Sequence, residues 1–218
     1  MRRVVIEEGE WVMGRYSSAI LFSLILLFAA PIVNATITNW SCAPDGDGAI
    51  TMDYTTLTFD SGEYLLDMDG QQHWYPAHLA GDFTTSDLLD PTVRIVEGID
   101  NDTTFAWTDY HITIGMNNNT FSIFDPAGLV MPFGWTAIVT PVSPGLMPNN
   151  GGPGYVGVIN YYMGTGGSPV GIGDSADFGF KISFSGNTVF STEQIPTPEP
   201  TTIILLGLGA MSVIRRRR

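Results

Sequence analysis

The chain has 218 residues, with 22 acidic side chains against nine Lys and Arg, a formal charge of −13 and one cysteine. A surface of that sign repels nucleic-acid phosphates and anionic lipid head groups, which excludes nucleic acid as a partner. A lone cysteine leaves no internal disulfide, so the fold must rest on its core.

Taken in chain order, the first element is a leader. Ile20 to Ile32 is an apolar run preceded by Arg15 and followed by Val33-Asn34-Ala35. A basic region, an apolar region and a small-residue site in that order read as a secretory signal peptide over 1–35, cut after Ala35. Glu7, Glu8 and Glu10 are unusual in such a leader, and Met13-Gly14-Arg15 offers a cleaner start. Export through the Sec machinery follows from this reading. A body of 161 residues then spans 36–196, long enough for one domain with a real core. Within it only Arg94 and Lys181 oppose 18 acidic residues, a formal charge of −16.

The body reads as many short strands. Alternating or β-rich runs fall at 50–59, 63–69, 92–97, 104–107, 110–116, 120–124, 135–140, 155–162, 177–184 and 188–191. Asp-Gly, Asn-Asn, Gly-Gly and proline punctuation separates them. No segment carries a helical stripe, and Ser86 to Leu89 has room for one turn at most. Residues 143–154 and 164–175 read as the long irregular stretches. The expected fold is all-β: a single antiparallel β-sandwich, jelly-roll-like, between the signal peptide and a C-terminal transmembrane tail.

Motifs that carry chemistry are sparse. Asp45-Gly46-Asp47-Gly48 resembles part of an EF-hand loop, but the first ligand position falls on Ala43 and the twelfth on Tyr54. Asp45 and Asp47 therefore stand as metal candidates only together with other acidic loops, such as Asp100-Asn101-Asp102 or Asp174 and Asp177. A structural calcium is the one cofactor suggested. His73, His78 and His111 form no zinc pattern. There is no Gly-x-Ser-x-Gly elbow, phosphate-cradling loop or Cys–His pairing, so no catalytic residue is named and the body is expected to be non-enzymatic. Trp107 and Trp135 read as core. Trp74 and Tyr75, flanked by Gln71, Gln72 and His73, sit in a more polar setting suited to stacking on sugar rings.

The final segment, 197–218, is the most specific. Pro198-Glu199-Pro200 is a rigid, extended punctuation. Thr201 to Ile214 is uncharged and rich in Leu, Ile and Gly, as a membrane segment would be, and Arg215, Arg216, Arg217 and Arg218 would hold its end in the cytoplasm. As a helix, those fourteen residues rise only about 21 Å, against a hydrocarbon core of about 30 Å. That mismatch suits a transient sorting segment better than a permanent anchor. The tail resembles the PEP-CTERM sorting signal of Gram-negative, exopolysaccharide-producing bacteria. The resemblance implies an exosortase, a membrane-embedded transpeptidase-like enzyme, acting near Pro198-Glu199-Pro200. It also implies a precursor in the inner membrane with its body on the periplasmic side, and a mature form at the cell surface or outside the cell. Three roles for the body compete: a non-enzymatic binder of glycan or a partner in an exopolysaccharide matrix, a carbohydrate-active enzyme, and a calcium-dependent structural subunit. An enzyme would need two carboxylates about 5–10 Å apart in an aromatic cleft.

Overall fold

The computed structural model describes residues 36–86, 90–117 and 121–198, all within the unit that begins at Asn34. Ala35, Glu199, Pro200, the apolar run and Arg215, Arg216, Arg217 and Arg218 lie outside the described residues. Eleven strands form: β1 Ile37–Pro44, β2 Ile50–Asp60, β3 Glu63–Gln72, β4 Ala77–Thr85, β5 Thr92–Asn101, β6 Trp107–Met116, β7 Ser122–Ile123, β8 Trp135–Leu146, β9 Pro153–Met163, β10 Ser175–Ser183 and β11 Thr188–Pro198. No helix occurs among the described residues.

Two sheets result, one ordered β1-β4-β11-β6-β9-β8 and the other β2-β3-β5-β10-β7. Their apolar faces meet in one core. Tyr110 of β6 stacks on Phe178 of β10 at 4.2 Å, and Tyr161 of β9 and Trp135 of β8 reach the same ring at 5.2 and 5.6 Å. Phe83 joins the layers further along, 5.2 Å from Phe184. β3 and β5 alternate buried and half-buried residues without a break, as strands with one covered face must.

The all-β architecture agrees with the sequence, and three details correct it. The pairing of β3 with β5 is parallel, with Leu66 opposite Ile95, so the fold is not purely antiparallel. Parallel neighbours need a long crossover, and here β4, a strand of the opposite sheet, supplies it. The jelly-roll likeness holds for the layering and not for the strand number, since a jelly roll has eight strands. Much of 143–154 is strand rather than loop, because β8 and β9 run on to pair Leu146 with Pro153, whereas 104–106 is loop and β6 begins at Trp107.

β11 is an interior strand, flanked by β4 and β6. Its pairing with β4 ends at Gln194–Ala77, while its pairing with β6 continues to Pro198 opposite Trp107. Pro196 and Pro198 are tolerated here because only one neighbour remains. The strand thus continues past the 196/197 boundary and into the sorting segment.

Candidate functional site

Strand directions divide the loops between two poles. β11 ends at what we term the tail pole, where β4, β6 and β8 begin and β9 ends. The loops 45–49, 73–76, 102–106, 132–134 and 164–174 therefore gather at the tail pole. Asp45, Asp47, Trp74 and Tyr75, the main ligand candidates of the sequence, lie there with Pro198, and Asp102 and Asp174 sit in the same set of loops.

Buried side chains hold these loops. The Gln72 amide donates to Trp74 O at 3.1 Å and Gln194 O at 3.4 Å, fixing the β3–β4 link. His73 N and Trp74 N both donate to Ala49 O, at 2.9 and 3.3 Å. The Trp74 ring then lies across Gly48, where a Cβ would approach it to 3.3 Å and where φ is +83°, so the position needs glycine. Asn101 Nδ2 donates to Phe105 O and Val170 O, and Trp107 Nε1 donates to Thr103 Oγ1 at 3.0 Å. Trp135 Nε1 donates to Ser168 O at 2.9 Å, tying 132–134 to 164–168.

On this frame Trp74 is 50% and Tyr75 48% exposed, while Trp107, Tyr110, Trp135 and Tyr161 are buried. Tyr75 meets Phe105 edge-on at 5.6 Å. Beside Trp74, His73 Nδ1 lies 2.7 Å from Asp102 Oδ2 and its Nε2 lies 3.1 Å from Thr51 Oγ1. A shallow hollow of about 220 Å³ lined by Gln71, Asp100, Asn101, Asp102 and Gly173 adjoins it. The rings give flat apolar faces and the carboxylates and amides give hydrogen-bonding edges.

Asp45 and Asp47 find a partner the sequence did not single out. His78 of β4 brings Nδ1 to 3.3 Å from Asp45 Oδ2 and Nε2 to 3.3 Å from Glu193 Oε2. Ligand atoms of Asp45, Asp47 and His78 lie within 4.8 Å of one another. His78 Nδ1 is buried and, though close to Asp45, outside hydrogen-bond geometry. One imidazole with two carboxylates suits a transition-metal ion better than calcium, which takes six to eight oxygens. Asp100, Asp102, Asp174 and Asp177 are not part of this cluster.

The interior holds a second polar system. Glu97 on β5 is 2% exposed, and both its oxygens accept from Gln194 Nε2, at 3.0 and 2.8 Å. Tyr110 Oη donates towards Gln194 Oε1 at 3.2 Å and Gln72 Oε1 at 3.0 Å, which orients the Gln194 amide. Burial pushes the Glu97 carboxyl up to about 7, opposed by the Gln194 hydrogen bond. Burial, then the Glu97 charge, pushes the Cys42 thiol up to about 12. Arg94 and Lys181, the body's two Lys/Arg side chains, both reach Glu63, which the Lys181 hydrogen bond holds below the usual carboxylate range. They sit at the far pole, leaving the tail pole without a Lys or Arg among the described residues.

The interior strand β11 reaches Pro198, and in the sequence Glu199, Pro200 and an uncharged apolar run follow it. Residues 196–218 match the PEP-CTERM protein-sorting motif. The motif implies a membrane-anchored precursor, processed by an exosortase and directed to the cell surface. No curated protein and no solved structure matches the chain.

Proposed function

We propose that the chain is exported through Sec, held in the inner membrane by 201–214 with its body on the periplasmic side, and cut or transferred near Pro198-Glu199-Pro200 by an exosortase. The mature body then serves in the exopolysaccharide matrix as a non-catalytic binding module, with Trp74 and Tyr75 as the glycan platform. The observation that carries the sorting step is the motif at 196–218, directly continuous with β11, while the exposed rings of Trp74 and Tyr75 support the platform. A cut beyond Pro198 leaves every strand in place, because β11 ends there. Glu199→Ala tests the proposal: export should continue and release should stop, with intact mass showing a retained Arg218. Normal release of that variant removes the exosortase step.

The convergence of Asp45, Asp47 and His78 favours a second reading, a matrix subunit stabilised by a divalent cation. Binding to the folded state alone raises the melting temperature. Melts with zinc, with calcium and with a chelator should then differ, zinc giving the larger rise. Identical melts in all three count against it.

A further inference from the structure

The tail pole carries the apolar side chains most exposed on loops. Phe133 is 94% and Ile172 62% exposed, and with Trp74 and Tyr75 they project from three separate loops. Phe133 borders a shallow hollow of about 400 Å³ beside Pro132, Pro169 and Val170. Val170 pairs with Trp107, which in turn faces Pro198. The loop tips and the exit of the chain thus share one surface.

That surface cannot stand far from the bilayer while the tail is embedded. Only Glu199 and Pro200 separate Pro198 from Thr201, and three extended peptide steps span at most about 11 Å. The chemistry of the surface narrows what it meets. Trp and Tyr favour the head-group region, where one side of the ring is apolar and the other wet. The same pole holds Asp45, Asp47, Asp102 and Asp174 and, among the described residues, no Lys or Arg, so an anionic surface would repel it.

We propose that in the anchored precursor this pole rests on the membrane, with Trp74, Tyr75, Phe133 and Ile172 seated in a zwitterionic phospholipid interface. The proposal rests on the reading of 201–214 as a membrane segment. Processing then does more than cut a tether: it lifts the aromatic end off the lipid and frees Trp74 and Tyr75 for glycan. The far pole, which includes Leu146, faces away from the membrane.

The test uses the full chain reconstituted in phosphatidylcholine vesicles, with a nitroxide placed by Phe133→Cys, Ile172→Cys or, at the far pole, Leu146→Cys. All three positions are exposed, so the substitutions leave the core untouched, and Cys42 labels poorly because its thiol stays protonated. Collision rates with oxygen and with a water-soluble nickel chelate report lipid and water respectively. The oxygen-to-nickel ratio at 133 and 172 should exceed that at 146 several-fold, and should fall when anionic lipid is added. Equal ratios at all three positions, in a chain that resists carbonate extraction, overturn the membrane seat while leaving the tail's insertion intact. A chain stripped by carbonate overturns the insertion and the seat together.

Discussion

Glu97 offers the sharpest test of how this core is held together. It is buried between the sheets, and its only polar partner among the described residues is the Gln194 amide, at 2.8 and 3.0 Å. Desolvation raises its folded-state value from 4.5 to about 7, whereas in the unfolded chain it ionises near the ordinary value. The sign follows. Below the unfolded value both states hold the proton, and the fold bears no penalty. Between the two values the unfolded chain releases its proton first and stability falls; above about 7 the loss is complete. At about 1.4 kcal/mol per unit, the difference amounts to on the order of 3 kcal/mol. That is a large part of the roughly 5–15 kcal/mol that holds a domain together. Tyr110 and Tyr161, both pushed up by burial and then by the Glu97 charge, stay neutral over this window, as does Cys42. Urea unfolding of the wild type and of Glu97→Gln should be compared between pH 5 and 8. The wild type should lose about 2–3 kcal/mol across that range through this group, and the variant should lack that loss. Parallel curves for the two proteins would refute the reasoning.

Other outcomes are expected. Phe178→Ala removes the ring on which Tyr110, Tyr161 and Trp135 converge and should cost about 3–5 kcal/mol in chemical denaturation; a cost under about 1 kcal/mol would mean the two sheets are not joined there. Trp74→Ala should weaken binding to the host's exopolysaccharide by on the order of 2 kcal/mol, roughly thirtyfold by calorimetry, and unchanged affinity would discard the platform. The anchored fraction of Glu199→Ala should rise to nearly all of the protein.

The sequence made some strands plain and hid others for physical reasons. β3 and β5 each have one covered face, so their alternation is written in the residues, and β10 keeps it apart from the buried Gly179. β1 lies at a sheet edge with only Ile37 buried, and its run Thr38-Asn39-Trp40-Ser41 shows no period. β4 was hidden by Ala80-Gly81-Asp82, which reads as a turn. Gly81 is instead a packing position, where a Cβ would come within 2.8 Å of the Phe190 ring. Trp74 and Tyr75 stood out through their polar neighbours. His78 did not, because its meeting with Asp45 and Glu193 depends on β4 lying between β1 and β11, a non-local arrangement no short motif encodes. The gathering of Asp45, Asp47, Trp74 and Tyr75 at the tail pole follows from topology alone.

The placement of β11 also sets how the body bears load. The chain enters β1 at the far pole and leaves β11 at the other, with both strands antiparallel to β4 between them. A pull on the tail therefore runs along the strands. Hydrogen bonds to β6 up to Pro198, joined by those to β4 up to Gln194, are then loaded in shear, rather than opened one by one as at a peeled edge. A body held by its tail is thus gripped at an interior strand rather than at a sheet edge.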